Sequence, residues 1–389
     1  MNFASRIKGL GPEGAYRVMA LASALEKEGR DIIHLEIGQP DFSTFPEIIQ
    51  AGKDAIDAGF TRYNPPEGYA DLRETIAQYS QRRSIHADAA QVVVAPGAKP
   101  VLLFPMLALV EAGDEVLYPD PGFPSYRSTI ELAGGTPVPV PLVESNSFSF
   151  DLEALAARIS PRTKLLILNS PANPTGGVIP KADLEVIAQL AQKHNFWVMS
   201  DEIYSRLVYN GINAESVYAI DGMPERTIVV DGFSKSYAMT GWRLGYAVMP
   251  EALAQKVSLL ITHAVGCTAG FTQKAGIAAI QQGDRYIAEI VERYQGRRDR
   301  FIQGLNQIEG LSCRLPEGAF YAFVNTSKLG IPSATLAERL LQEAGVACVS
   351  GTDFGQNGQG YVRFSYATSS DQLRNAVERI ANFVDKLPR

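Results

Sequence analysis

The sequence predicts an α/β protein, with a large domain on a mostly parallel sheet covered by helices and a smaller α+β domain beside it. Three observations carry this expectation. Between residues 91 and 249, short apolar, β-branched runs alternate with segments of helical spacing, as in a parallel sheet buried on both faces. Beyond Met249 the pattern changes to longer helical stretches followed by a few separated strands. A chain of 389 residues also exceeds the size at which one core keeps growing. The boundaries that follow are 46–285 for the large domain, and 1–45 together with 286–389 for the small one.

Taken in order, residues 17–28 have helical spacing and stop at Gly29, a natural C-cap. Ile32, Ile33, Leu35 and Ile37 predict a short strand entering Gly38-Gln39-Pro40, where Gly38 either serves the turn or lets a backbone N–H approach a ligand. A proline-stiffened loop, 62–68, precedes a helix over 69–83. Residues 91–95 form a strand that runs directly into Pro96-Gly97-Ala98-Lys99-Pro100 and a helix. That strand–turn–helix presents free N–H groups and the positive end of a helix dipole to an anion. Pro100 suits the first helical position, and Pro105 is expected to kink the helix. Neither a dinucleotide fingerprint nor a P-loop is present.

Further strands are predicted at 115–118, 164–168 and 196–199, the last after a helix over 182–194. They end respectively in the turns carrying Phe123, Asn173 and Asp201 with Tyr204. Phe123 could stack on a flat ring or serve as a plain core aromatic. Strands at 227–230 and 245–249 bracket a stretch reading Asp-Gly-Phe-Ser-Lys-Ser-Tyr-Ala-Met-Thr-Gly-Trp-Arg-Leu-Gly. Helices then follow at 254–260, 272–281 and 287–308, with strands near 313–315, 320–324 and 361–365, the last carrying Arg363. In open parallel sheets ligands bind beyond the carboxyl ends of the strands. Gly97, Phe123, Asn173, Asp201 and Ser234 all follow such ends, so they converge on one crevice.

Composition narrows the function. A net charge of -6 argues against nucleic acid as the main partner. The longest apolar run, 101–110, is too short to span a bilayer, and no signal peptide is evident, so no membrane partner is expected. Cys267, Cys313 and Cys348 are far apart and the four histidines are scattered, which speaks against a metal site or a disulfide framework. Small buried hydrophobes is the expectation for these thiols, and the usage suits a reducing cytoplasm.

Within the bracketed stretch, Lys235 sits between Ser234 and Ser236, with Arg243 eight residues on. A lysine at a strand end, beside hydroxyls and a second cation, suits an amine nucleophile near an anion such as phosphate. Desolvation and a neighbouring cation both favour its neutral form, which Schiff-base chemistry requires.

Ser234-Lys235-Ser236 followed by Met239-Thr240-Gly241-Trp242-Arg243-Leu244-Gly245 resembles the lysine segment of the class I aminotransferases. The resemblance extends through the separated motifs from Gly38 to Arg363 and implies a fold-type I pyridoxal phosphate enzyme. By that resemblance Lys235 would carry the cofactor as a Schiff base and move the proton at the substrate Cα. Asp201 would pair with the pyridine nitrogen, Tyr204 and Asn173 would bond the ring oxygen, and Phe123 would stack on the ring. The backbone at Ala98 and Lys99, with Ser234 and Arg243, would hold the phosphate. Arg363 would clamp the substrate carboxylate, helped by Asn173 and the Gly38 backbone, since only arginine offers the matching planar fork. Tyr63 would reach the phosphate of a neighbouring subunit, which implies a homodimer with shared active sites, and Asn173-Pro174 would be cis.

The implied function is amino transfer between an L-amino acid and a 2-oxo acid by ping-pong kinetics. Elimination, or a reaction like that of the aminocyclopropane-carboxylate synthases, is the alternative on the same residues. Phe123 stands where tryptophan or tyrosine is common in the family. Lys99 points to acidic donors such as aspartate or glutamate, or is simply a solvated lysine at a helix start. No second arginine can be assigned to a side-chain carboxylate.

Overall fold

A computed structural model describes residues 3–7 and 10–387, so residues 1–2, 8–9 and 388–389 of the predicted small domain lie outside the described residues. In chain order the first half comprises α1 (Gly14–Lys27), β1 (Ile33–His34), α2 (Pro46–Asp57), α3 (Ala70–Ser80), β2 (Val92–Ala95), α4 (Ala98–Leu109), β3 (Glu115–Asp120), α5 (Ser125–Ala133), β4 (Thr136–Val143), β5 (Ser149–Phe150) and α6 (Leu152–Arg158). Then come β6 (Thr163–Asn169), α7 (Lys181–His194), β7 (Trp197–Asp201), β8 (Thr227–Gly232), β9 (Gly245–Val248), α8 (Glu251–Ala264) and α9 (Gly270–Gln282). The remainder is α10 (Asp284–Leu305), β10 (Tyr321–Asn325), α11 (Ser333–Ala344), β11 (Val346–Ala347), β12 (Val349–Ser350), β13 (Tyr361–Ser365) and α12 (Ser370–Val384).

The central sheet has the order β2-β9-β8-β7-β6-β3-β4-β5. Neighbours from β8 through β4 pair in parallel, whereas β9 runs antiparallel to both β2 and β8, and β5 is antiparallel to β4. Both faces are covered, and the period-2 alternation sorts side chains between them. Leu165 and Ile167 join one buried cluster with Val116 and Ile228, while Leu166 and Leu168 join another with Leu117 and Val198. A second sheet, β10-β13-β12, is antiparallel, and β1 pairs in parallel with β11, which ties the N-terminal segment to the C-terminal one. The mostly parallel sheet and the separate α+β part are as the sequence predicts.

Four details differ from expectation. Residues 313–315 form no strand: only an isolated bridge links Ser312 to Asn325. The Asn306 side chain takes both the N–H and the C=O of Cys313, at 2.7 and 3.0 Å, so those groups have no need of a ladder. Pro100 is the third residue of α4 rather than the first; it is tolerated because the N–H groups of a first turn have no helical acceptor, and the helix continues through Pro105. Cys267 is only half-buried, lying in the connection between α8 and α9, whereas Cys313 and Cys348 are buried. Finally, β4 carries Pro137, Pro139 and Pro141. Alternate residues send their N–H groups to opposite edges, so all three prolines fall on the side away from β3.

Candidate active site

The parallel strands end along one edge, and their last residues fix the site. Ala95 of β2 passes through Gly97 into the N-terminus of α4; Asp120 of β3 leads to Phe123; Asn169 of β6 leads to Asn173; Asp201 closes β7; and Gly232 of β8 leads to Ser234 and Lys235. Because β9 runs the other way, its first residues lie at the same edge, which brings in Arg243. A cleft of about 610 Å³ is lined there by Gly38, Ala98, Lys99, Phe123, Asn173, Asp201, Tyr204, Ser234, Lys235, Arg243 and Arg363. Thus all but one of the residues proposed from sequence meet in one place. Tyr63 does not: it is 95% exposed and borders a separate depression with Asn64 and Cys267. A larger hollow of about 970 Å³ lies next to the cleft, around Phe42 and Trp242, but it lacks Lys235, Asp201 and Arg363.

Lys235 Nζ donates to the Gly38 carbonyl at 2.5 Å. Burial, with Arg363 and Arg243 adding repulsion, brings its amine down to about 8. Asp201 is buried in the same cleft. Burial pushes its carboxyl up to about 6, although the Tyr126 hydroxyl donates to it at 2.7 Å. Tyr204 and Tyr321 share a hydrogen bond at 2.7 Å, and burial holds the Tyr204 phenol well above its usual range.

Arg363 leaves β13 fully buried. Its Nη1 donates to Asn173 Oδ1 at 2.9 Å, its Nη2 to the Glu36 carbonyl, and Tyr321 and Phe354 flank it at 4.5 and 4.8 Å. Its Nε has no hydrogen-bond partner, and burial lowers the guanidinium below its ordinary range. A buried cation with an unused donor favours an anionic ligand. Asn173 is held in turn by Asn169, whose Oδ1 accepts from the Asn173 N–H at 2.8 Å, and the Asn173-Pro174 bond is cis.

Two glycines make room. A Cβ on Gly97, whose φ is +98°, would sit 2.2 Å from Arg243 Nη2, and one on Gly38 would sit 2.0 Å from the Tyr321 hydroxyl. Bare backbone, a helix N-terminus and Arg243 therefore converge, an arrangement that favours an anion, with a buried carboxylate and an amine of lowered pKa alongside. Lys99, half-exposed, pairs with Glu13, which the Ser125 hydroxyl also contacts at 2.8 Å. Tyr321, Tyr126 and Glu13 escaped the sequence reasoning. The aromatic pair Phe320-Tyr321 after Gly318, and Tyr126 three residues beyond Phe123, were the available signals.

A fold-type I sheet with this edge defines a pyridoxal phosphate enzyme, and the comparisons agree. Residues 30–380 match the model of the family "Aminotransferase class I and II", so the chain belongs to that family. It is 38% identical over 384 residues to Aromatic-amino-acid aminotransferase 2 of Thermococcus litoralis, covering 98% of this chain and 97% of that protein. The same figures hold for an aspartate aminotransferase of Pyrococcus abyssi. Among solved structures, the aspartate aminotransferase of Rhizobium meliloti superposes with a TM-score of 0.96 at 35% identity over 100% of both chains. That of Thermus thermophilus with maleate gives 0.94 at 36%, covering 98% and 99%. The protein is a pyridoxal-phosphate-dependent aminotransferase that moves an amino group between an L-amino acid and a 2-oxo acid.

Proposed function

We propose the following division of labour in the cleft. The N-terminus of α4 at Ala98 and Lys99, with Ser234 and Arg243, holds the cofactor phosphate, and Phe123 covers the ring. Asp201 takes the ring nitrogen: a cationic N–H partner there relieves the penalty that raises its carboxyl to about 6. Tyr204, supported by Tyr321, and Asn173 face the ring oxygen. When bound, pyridoxal phosphate supplies the electron sink that makes the substrate Cα–H acidic.

The chain's own groups do the rest. Lys235 holds and returns the Cα proton, and an amine near 8 has both protonation states within reach at neutral pH. Arg363 accepts the α-carboxylate in a fork and fixes which Cα bond faces Lys235. Lys99 is the cation near the substrate side chain, so acidic donors such as aspartate or glutamate are within the range, in keeping with a relative solved with maleate, a dicarboxylate. Residues 46–285 act as the cofactor-bearing lobe, and 1–45 with 286–389 as the smaller lobe carrying Arg363. The exposed Tyr63 reaches the phosphate of a second copy, which makes the active form a homodimer with shared sites, working in the cytoplasm.

The observation that carries this reading is the pairing of a buried Lys235 of lowered pKa with a buried Arg363 that has a spare donor. The test is the visible spectrum of the chain supplied with pyridoxal phosphate. Wild type should show a yellow band that bleaches with an amino donor, and Lys235→Ala should show neither the band nor turnover. Full transamination by Lys235→Ala would overturn the assignment.

A further inference from the structure

Glu13 immediately precedes α1, and its side chain reaches into the cleft rather than into solvent. Its Oε1 accepts from the Lys99 ammonium and from Ser125 Oγ at 2.8 Å, and the ammonium stands 5.5 Å from the centre of the Phe123 ring. The position is fixed from behind. A Cβ on Gly14 would lie 2.4 Å from the Asp353 carboxylate, which Arg17 holds at 3.0 and 3.2 Å. Glu13 is therefore a carboxylate that the fold itself presents to the Lys99 ammonium inside the cleft.

We propose that Glu13 is a built-in competitor for Lys99 and sets which amino donors the cleft accepts. The inference rests on the aminotransferase roles given above, with Arg363 taking the α-carboxylate. While the pair is intact, this end of the cleft has no net charge, and a donor with a neutral side chain enters against Phe123, Ala15 and Tyr16. A donor with a second carboxylate must detach Glu13 from Lys99, or else bring two carboxylates to one cation. Like charges brought together in a partly buried site are a device of exclusion, and specificity is the difference between donors that meet the device and donors that do not. A single residue thus lets one site serve neutral donors readily and acidic donors against a handicap.

The test uses the holoenzyme as wild type, Glu13→Gln and Glu13→Ala. Glutamine keeps an oxygen for Ser125 and removes only the charge. Two ratios are measured: the affinity for succinate over propionate by calorimetric titration, and kcat/KM for aspartate over phenylalanine. Both are expected to rise by about tenfold or more in the variants, the second through KM rather than kcat. Adding Lys99→Met to Glu13→Gln should cancel the gain, because the gain belongs to the freed ammonium. Ratios unchanged within about twofold in both Glu13 variants, or a gain that survives Lys99→Met, would overturn the proposal alone. Failure of every donor to bleach the wild-type band would instead overturn the aminotransferase roles on which it rests.

Discussion

Removing the charge from Asp201 should stabilise the cofactor-free protein while damaging the enzyme. The carboxyl is 4% exposed; Oδ2 accepts from the Tyr126 hydroxyl at 2.7 Å and Oδ1 from the Ile203 N–H at 3.3 Å. Burial moves its pKa from the ordinary 3.8 to about 6. That difference corresponds to ~3 kcal/mol between the charged form in the fold and in the unfolded chain. Because the folded value is the higher one, this group's contribution is fully present below about pH 4 and is lost as pH rises through about 6. In Asp201→Asn the side-chain oxygen still serves Tyr126, but an NH₂ faces the Ile203 N–H, forfeiting ~1 kcal/mol. The cofactor-free variant should therefore unfold in urea with ~2 kcal/mol more stability at pH 7.5, and below about pH 4, where only the lost hydrogen bond counts, it should be ~1 kcal/mol less stable. Loading pyridoxal phosphate should reverse the order, since the wild-type carboxylate gains a cationic partner that asparagine cannot match. A stability difference that stays constant between pH 4 and 7.5 would refute burial as the cause of the raised pKa.

Two further substitutions test the walls of the cleft. Arg363→Lys keeps a cation but offers three donors at one point in place of a fork, and it leaves either Asn173 Oδ1 or the Glu36 carbonyl unmet. Two charge-assisted hydrogen bonds are worth ~3 kcal/mol or more, so kcat/KM for L-amino acids should fall by about 10²–10³, mainly through KM. A loss below about threefold in steady-state kinetics would exclude Arg363 as the carboxylate clamp. Tyr321→Phe removes the hydroxyl 2.7 Å from that of Tyr204. One neutral hydrogen bond is worth ~1 kcal/mol, so kcat/KM should drop about fivefold, and unchanged kinetics would mean that Tyr204 needs no support.

What could be read from the sequence follows from which forces act locally. Strands buried on both faces must be apolar throughout, so β2, β6, β7 and β8 announce themselves as β-branched or leucine-rich runs. Strand β4 hides because its prolines mimic a loop, and only the tertiary fact that one of its edges is largely unpaired makes them harmless. The error at 313–315 has the opposite cause: an apolar look without a ladder partner, its backbone satisfied by Asn306. The same division runs through the site. Lys235, Asp201 and Asn173 follow strand ends, and an α/β sheet sends strand ends to one edge, so their meeting follows from the order of strands and turns alone. Arg363, on a separate sheet, and Tyr63, outside the cleft, were reachable only through the family resemblance. Tyr126, Tyr321 and Glu13 owe their roles to contacts spanning 75, 117 and 86 residues, which no local pattern encodes. Chemistry was legible where topology forces convergence. The side chains that hold Asp201, brace Tyr204 and pair with Lys99 came from packing between distant segments, where no local pattern announces them.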